Sequence, residues 1–226
     1  MKNPIKPKLK TEIIPILTLL LMVSGAYYFY SRFPEQVPIH WNFAGEVDRW
    51  GSRLMGAWGI PVITAVLYLM FLIIPFFDPH QDRYVQFKKV YHIFKNVFIA
   101  FMAFIYFITG FNVLGYNVPI GLWVPLMVGV LFVIIGNYLG KVKRNWFFGI
   151  KTPWSLSSEE NWNKTHRFGG KAFILGGLIL LVTPFTPLLC QLWLFTLSLG
   201  IILLGTIGYS FYLFLKENKK DDRNNN

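Results

Sequence analysis

Long apolar runs alternate with short polar segments along this chain of 226 residues. Six runs contain no charged residue, and they lie at residues 13–30, 55–77, 96–115, 120–139, 172–189 and 192–214. Each approaches or exceeds the roughly 18 residues that a helix needs to cross a bilayer. The pattern therefore predicts an all-α membrane protein, built as a bundle of six transmembrane helices.

The first apolar run follows a basic segment, and this order allows two interpretations. A basic segment ahead of an apolar run is typical of a cleaved signal peptide. This run, however, lacks a clear small-x-small cleavage site and ends in four aromatic residues, Tyr27, Tyr28, Phe29 and Tyr30. Aromatic residues are common where a retained helix leaves the membrane. We therefore expect a retained first helix.

Lysine and arginine residues are distributed unevenly between the two sides of this bundle. Of the 22, 19 fall in the two terminal tails or in the segments that join helices two and three and helices four and five. The other three, Arg32, Arg49 and Arg53, share one loop with acidic residues. Since loops rich in Lys and Arg stay in the cytoplasm, both termini are expected there. This distribution also accounts for the net charge of +11, so no direct nucleic-acid partner is expected.

The same pattern predicts one membrane domain with two informative loops. Residues 1–12 form a basic cytoplasmic tail, residues 13–214 form the six-helix domain, and residues 215–226 form a disordered cytoplasmic tail. Residues 31–54 form an outer loop, and residues 141–171 form a cytoplasmic loop between helices four and five. Neither loop is long enough to bury a core of its own.

Ionisable residues in the centres of membrane helices usually mark transport or proton-transfer sites. The six predicted helices contain none at their centres, which argues against an ion-coupled pump. Their polar residues are expected to form hydrogen bonds between helices, and glycines such as Gly136 and Gly140 to allow close packing. The single cysteine, Cys190, excludes an intramolecular disulfide and a cysteine-based metal site.

The outer loop has the pattern of a short β-hairpin at the membrane surface. Residues 37–42 and 46–50 alternate around an Asn-Phe-Ala-Gly turn. His40, Glu46 and Asp48 are residue types that bind metals, but their spacing matches no recognised ligand pattern. We expect no metal site, and we expect these residues to be solvated or hydrogen-bonded.

The cytoplasmic loop is the most chemically varied polar segment in the chain. Ser157 and Glu160 have the spacing of a capping box, which predicts a cytoplasmic amphipathic helix over residues 158–168. Ahead of it, residues 145–154 place four aromatic residues among turn-forming ones, which indicates a structured elbow. Its physical pattern fits two roles equally, a connector that holds helices four and five in place or a binding surface.

Several residues of this loop resemble the signature of the SdpI family. They are Gly136-Asn137, the turn at residues 145–149, the run Gly-Ile-Lys-Thr-Pro-Trp-Ser-Leu at residues 149–156, Glu160, Trp162 and Arg167-Phe168. The outer Pro-Ile-His-Trp-Asn segment at residues 38–42 and Gly-Glu-Val-Asp at residues 45–48 are similar to a small amino-terminal module of unknown function that often precedes this signature.

The resemblance implies a bacterial membrane protein that gives immunity to a secreted antimicrobial peptide toxin. It also implies signalling to a cytoplasmic transcriptional repressor. The cytoplasmic signalling or gating residues would be Asn145, Gly149, Thr152, Pro153, Trp154, Trp162 and Arg167. The toxin would contact the outer loop at His40, Trp41, Asn42 and Asp48. The other partner is the lipid bilayer, and no cofactor or catalytic residue is implied.

Two other function classes remain open from the sequence alone. One is a membrane transporter or channel for a small solute or peptide, which would require a polar path through the bundle. The other is a membrane enzyme acting through His40 or His166, although no catalytic motif accompanies either residue. The leading hypothesis is a non-enzymatic, multi-pass immunity or sensor protein of the bacterial cell membrane.

Overall fold

The structure is a computed structural model that describes residues 4–224. Its α-helices are α1 (Leu9–Arg32), α2 (Arg53–Phe77), α3 (Tyr84–Val113), α4 (Ile120–Leu139), α5 (Pro153–Ser157), α6 (Glu159–Val182) and α7 (Leu188–Asn224). Strands β1 (Gln36–Trp41) and β2 (Val47–Ser52) lie between α1 and α2, and short 3₁₀ helices span Gln81–Arg83 and Thr183–Phe185. All the α-helices except α5 lie in segments long and apolar enough to cross a membrane. The prediction of six membrane helices is confirmed by length and composition.

The chain divides into two compact units. The amino-terminal unit comprises Lys6–Ile74 and His92–Met127, and the carboxy-terminal unit contains mainly Pro75–Tyr91 and the chain from Val128 onward. Helices α2, α3 and α4 each contribute residues to both units. The hairpin belongs to the amino-terminal unit, whereas the SdpI-like loop belongs to the carboxy-terminal unit.

The core of the amino-terminal unit is built on one face of α1. Met22, Ala26, Phe29 and Phe33 recur at helical spacing on that face, and all are buried. Gly110 of α3 leaves room for the Phe29 ring, since a Cβ there would lie 2.3 Å from it. These contacts hold α1 against α3.

Lys95 is a buried charge that the sequence did not predict. The charge pattern puts Lys95 in the polar segment before the third helix, but in the structure it lies inside α3 and is only 1% exposed. Its ammonium group pairs with Glu12 in the first turn of α1. Lys95 is buried because α3 begins 12 residues before its apolar run, so this residue lies within the helix and faces the interior of the unit.

Glycine contacts hold α4 against α6 in the carboxy-terminal unit. A Cβ at Gly136 would lie 2.5 Å from the Gly170 carbonyl oxygen, and a Cβ at Gly170 would lie 2.7 Å from that of Gly136. Gly129 and Gly177 form a second reciprocal pair, at 2.8 and 2.7 Å. The two backbones therefore touch directly, as small residues allow in membranes. Gly140, predicted to share this role, has ordinary contacts only, the nearest at 3.5 Å.

Helix α6 differs from the predicted amphipathic helix. Residues 158–168 are not a separate cytoplasmic helix, because α6 runs unbroken from Glu159 to Val182. The cap is also shifted by one residue. Ser158 accepts a hydrogen bond from the Asn161 N–H and caps α6, while Ser157 donates to the carbonyl of Trp154. Gly169 and Gly170 lie at tight contacts within the helix.

The carboxy-terminal tail is also more ordered than predicted. Residues 215–226 are expected to be disordered, yet α7 continues to Asn224, and the last two residues lie outside the described part of the chain. Lys and Glu favour helix, so this segment can extend α7 without an apolar face. Glu217 also accepts a hydrogen bond from the Ser158 hydroxyl at 2.9 Å, which joins the end of α7 to the start of α6.

Candidate functional site

Asn145 organises the turn that follows α4. Its side-chain oxygen accepts the N–H groups of Phe147 and Phe148 at 2.9 and 2.6 Å, and its NH₂ group donates to the carbonyls of Lys143 and Phe148, both at 2.8 Å. The side chain is fully buried. A short amide can satisfy several backbone groups of a tight turn in this way. Asn145 therefore determines the path of the first half of the elbow, which we define as residues 141–158.

Asp78 connects the segment before α3 to the elbow. It is 2% exposed, and one of its carboxylate oxygens accepts the Tyr84 hydroxyl at 2.9 Å and the Trp146 N–H at 3.0 Å. The other oxygen accepts the His80 N–H at 2.8 Å. Tyr84 also reaches the Asn145 oxygen at 3.3 Å. Three hydrogen bonds compensate the burial of this carboxylate, which is otherwise costly.

Trp162 and His166 form the centre of the elbow's packing. Both are buried on one face of α6, and their rings stack with centroids 3.9 Å apart. The Trp162 indole N–H donates to the carbonyl of Val142 at 2.9 Å. His166 Nδ1 lies 2.8 Å from the Trp162 carbonyl oxygen, and its Nε2 accepts the Ile150 N–H at 3.0 Å. This pattern fixes the tautomer with the proton on Nδ1.

Gly149 is required where the elbow crosses this ring pair. It has a φ of +119°, which L side chains rarely adopt, and a Cβ there would lie 2.4 Å from His166 Nε2 and 3.2 Å from the Trp162 ring. The glycine therefore permits both the backbone conformation and the close approach that brings Ile150 to His166. The Gly-Ile-Lys-Thr-Pro-Trp run begins at a position where no larger residue fits.

Thr152 begins the short helix α5 and ties it to α7. Its hydroxyl accepts the Ser155 N–H, and the Ser155 hydroxyl accepts the Thr152 N–H, each at 2.9 Å. Pro153 occupies the first turn, where its missing N–H costs nothing. The Thr152 hydroxyl donates to the Ser210 hydroxyl of α7 at 2.9 Å. Trp154 packs against α7 as well, 4.7 Å from the Phe211 ring.

A second buried bond joins α6 to the same point of α7. The Asn161 side chain donates to the Ser210 carbonyl at 3.0 Å and accepts from the Thr165 hydroxyl at 2.9 Å. Asn161, Thr165 and Ser210 are all fully buried. Ser210 thus receives hydrogen bonds from both α5 and α6. The carboxy-terminal unit therefore contains buried hydrogen bonds that connect the segment before α3, the elbow, α6 and α7.

The predicted signalling or gating residues, which lie in the elbow and at the start of α6, divide into buried and exposed groups. Asn145, Thr152 and Trp162 are buried, and Gly149 and Trp154 are partly buried, so these five take part in packing. Pro153 and Arg167 are exposed. Two aromatic residues that the prediction omitted, Trp146 and Phe147, are 53% and 43% exposed. The elbow therefore presents a surface of aromatic and basic residues on top of a buried scaffold.

The hairpin is held by a turn that resembles the one at Asn145. Asn42 accepts the N–H groups of Ala44 and Glu46 at 2.9 and 3.0 Å, and it donates to the Glu46 carboxylate at 3.1 Å. Gly45 supplies the left-handed conformation, with φ of +80°. β1 and β2 pair antiparallel, with Trp41 opposite Val47. All of these Asn42 hydrogen bonds are made within residues 42–46.

His40 and Asp48 meet on the exposed side of the hairpin. His40 Nδ1 lies 2.6 Å from an Asp48 carboxylate oxygen, and the two side chains are 56% and 43% exposed. Glu46 interacts with Asn42 instead. The structure therefore brings two of the three residues considered as metal ligands together, and no group of three such side chains occurs within residues 4–224. Trp41 and Asn42 are partly buried beside this pair.

Several residues of the elbow network were missed in the sequence. Asp78, Tyr84, Asn161 and Ser210 make its long-range hydrogen bonds. Asp78 had a local signal, because an Asp-Pro pair after an apolar run is typical of a turn. Ser210 had none, since a serine inside an apolar run reads as a helix residue.

The elbow and the two helices that bind it correspond to a known family. Residues 141–210 match the SdpI/YfhL protein family, and they contain α5, α6 and α7 as far as Ser210. This region is similar to that family. Residues 16–65 match a domain of unknown function, DUF1648, which covers most of α1, the hairpin and half of α2. The resemblance stated from the sequence is confirmed for both modules.

A curated relative extends the SdpI similarity to most of the chain. It is "Immunity protein SdpI" of Bacillus subtilis (strain 168), which is 27% identical over 177 residues, or 78% of this chain and 83% of the relative. No solved structure matches the chain. Together with the six apolar helices, the SdpI similarity makes this a multi-pass protein of the cell membrane.

Proposed function

We propose that this chain is a membrane immunity protein that protects the cell from a secreted antimicrobial peptide toxin. The observation that carries the proposal is the similarity to the SdpI immunity protein across 78% of the chain. The exposed His40–Asp48 pair and the neighbouring Trp41 and Asn42 supply charged, aromatic and amide groups for a peptide. In this proposal the hairpin lies on the outer side of the membrane, where the charge distribution of the loops puts it.

The elbow supplies the second half of the proposal, which is signalling to a cytoplasmic repressor. Asn145, Gly149, Thr152 and Trp162 form the scaffold, because their contacts are internal. Trp146, Phe147 and Arg167 form the contact surface, since aromatic residues and arginine dominate the energetics of protein interfaces. Toxin binding changes the elbow only if the toxin has different affinities for two conformations of the chain.

A binding role is preferred to a catalytic one. Both ring nitrogens of His166 are engaged by backbone groups, so neither is available to accept a proton from a substrate without breaking a buried bond. His40 has an acidic partner, but it lies in an exposed hairpin. The transport alternative remains a prediction, and flux through reconstituted vesicles above that of empty vesicles would favour it over immunity.

Protection is tested by expressing the chain in a toxin-sensitive bacterium and measuring survival against a panel of secreted antimicrobial peptides. We expect survival to rise for at least one peptide when the protein is present in the membrane. Unchanged killing by every peptide, with membrane insertion verified, would overturn the proposal. The variant His40→Ala/Asp48→Asn tests the hairpin as the contact, and Trp50→Ala, at another exposed position of β2, is its control.

Signalling is tested separately with a reporter fused to the promoter of the chain's own gene. Exposure to a protective peptide should raise reporter output in cells that carry the intact chain. The variant Trp146→Ala/Arg167→Ala should abolish this rise while leaving survival unchanged, because it alters the surface and not the scaffold. Loss of survival together with reporter output would contradict the division of the elbow into scaffold and surface.

A further inference from the structure

Three polar side chains meet within the apolar helices of the amino-terminal unit. They are Glu12 of α1, Tyr68 of α2 and Lys95 of α3. The Lys95 ammonium group donates to a Glu12 carboxylate oxygen and to the Thr11 carbonyl, the latter at 3.3 Å. The Tyr68 hydroxyl donates to the same carboxylate oxygen at 2.9 Å, and the Thr11 hydroxyl donates to the other at 2.9 Å. We call Glu12, Tyr68 and Lys95 the charged cluster.

The two charged side chains of the cluster are almost entirely buried. The Lys95 and Glu12 side chains are 1% and 7% exposed, and every carboxylate oxygen has a donor. Glu12 lies in the first turn of α1, where the helix dipole also favours a negative charge. A charge buried among membrane helices is costly unless it is paired, so Glu12 is the counter-ion that allows Lys95 to lie inside α3.

The charged cluster also lies outside both matched family regions. Glu12 precedes residues 16–65, and Tyr68 and Lys95 fall between this region and residues 141–210. The cluster joins α1 and α2 to α3 through residues that neither family model covers. Apolar packing alone gives little preference for one register in a membrane, because lipid is as apolar as the side chains. A buried polar pair can supply that preference.

We propose that the charged cluster is an intramembrane docking site through which the amino-terminal module, defined as α1, the hairpin and α2, is seated on α3. The surface on α3 fits a helix that carries a carboxylate in its first turn. Glu12 is near one end of α1, and the other end leads into β1, so seating α1 also sets the position of the hairpin. This role extends beyond toxin immunity and requires no toxin.

Seating of the hairpin can be measured at Val37. This β1 residue is fully buried and packs on Gly56 of α2. A Cβ added at Gly56 would lie only 2.3 Å from the Val37 side chain. In a Cys190→Ser background, Val37→Cys places a single thiol that a water-soluble maleimide reaches only when the hairpin is displaced. Labelling is followed on open membranes of cells that express the full chain, so both membrane faces are accessible.

The variants Glu12→Gln and Lys95→Gln should each raise the labelling rate of Cys at position 37 by roughly tenfold or more, because each leaves a buried charge without its partner. The exchange Glu12→Lys/Lys95→Glu should return the rate to within about threefold of the parent, since it restores a pair. The exposed Glu160–Lys164 pair of α6 provides the matched control. Lys164→Gln should leave labelling unchanged.

Labelling at the parent rate in both single variants would overturn the proposal, as would an exchange variant that labels like the single ones. If the single variants do not accumulate in the membrane, the neutral pair Glu12→Gln/Lys95→Met decides. This double variant has no unpaired charge but also lacks the pair, so a labelling rate at position 37 that is raised by roughly tenfold or more supports the docking site. Labelling of the double variant at the parent rate would overturn it. Survival against toxin is not part of either readout, so this result and the immunity result are independent.

Discussion

Asn145 in the elbow and Asn42 in the hairpin perform the same task in different surroundings. Each accepts two backbone N–H groups of a tight turn through its side-chain oxygen. Asn145 is fully buried and also meets Tyr84, whereas the other partners of Asn42 are within its own turn. The elbow residues are therefore constrained by tertiary contacts. The hairpin turn is held by its own residues, and His40 and Asp48 remain exposed to a ligand.

The sharpest test of this contrast is Gly149→Ala. The new methyl group would overlap His166 Nε2, and the alanine backbone would have to adopt a positive φ. The free energy of unfolding should therefore fall by about 3 kcal/mol or more. Gly115→Ala is the matched control, because Gly115 also has a positive φ but nothing within 4 Å of its Cβ position. The control should lose only about 1 kcal/mol. Equal thermal shifts of the two purified proteins in detergent would refute the steric argument.

The two asparagines can be compared directly by substitution. Asn145→Ala leaves buried backbone groups without partners, so we expect a loss of about 2 to 3 kcal/mol. Asn42→Ala exposes its turn to water, which replaces the lost bonds, and should cost about 1 kcal/mol or less. Both are measured by denaturation of the full chain in mixed micelles. Similar losses would mean that burial does not distinguish the two turns.

A smaller effect is expected from Thr152→Val. The substitution keeps the shape of the side chain but removes the cap of α5 and the bond to Ser210, so the loss should be about 1 to 2 kcal/mol. Ser157→Ala removes an exposed bond from the same helix and serves as the control, with a loss of about 0.5 kcal/mol or less. If Ser157→Ala lowered the free energy of unfolding as much as Thr152→Val, the cap and the Ser210 bond would not be the main contacts that stabilise α5.

The smallest effect on stability is expected in the hairpin. His40→Ala removes an exposed pair, which contributes about 0.5 kcal/mol or less, so the melting temperature should hardly change. Under the immunity proposal the same variant should nevertheless lower the peptide concentration that cells survive. Melting and survival are measured on the same variant. A large drop in melting temperature would show that the hairpin is not self-contained.

The sequence predicted the helices well because a membrane helix leaves a strong local signal. Each of the six long helices contains all or most of one of the six apolar runs, and the Asn-Phe-Ala-Gly turn lies between β1 and β2. Local patterns were less reliable at helix ends. The first turns of α6 are polar and carry a capping residue, so they read as a separate helix, although the backbone continues into the apolar run.

The elbow's residue types were recognisable, but its partners were not. Gly149, Thr152 and Trp162 stood out through a family signature. The bonds from Asp78 to Trp146 and from Thr152 to Ser210 join residues far apart in sequence, and neither spacing nor composition signals such contacts. Lys95 was missed for a related reason, since its burial depends on Glu12, which reads as part of a basic tail.

The reciprocal glycine contacts between α4 and α6 have a consequence for how sequences of this kind diverge. Each glycine faces the carbonyl of its partner, so a methyl group at either position meets backbone that cannot rotate away. A chain that acquires alanine at Gly136 must separate the helices locally, and the second pair, Gly129 and Gly177, then loses its contact as well. Homologous chains should therefore keep or lose all four small residues as a set, while the lipid-facing positions beside them change freely.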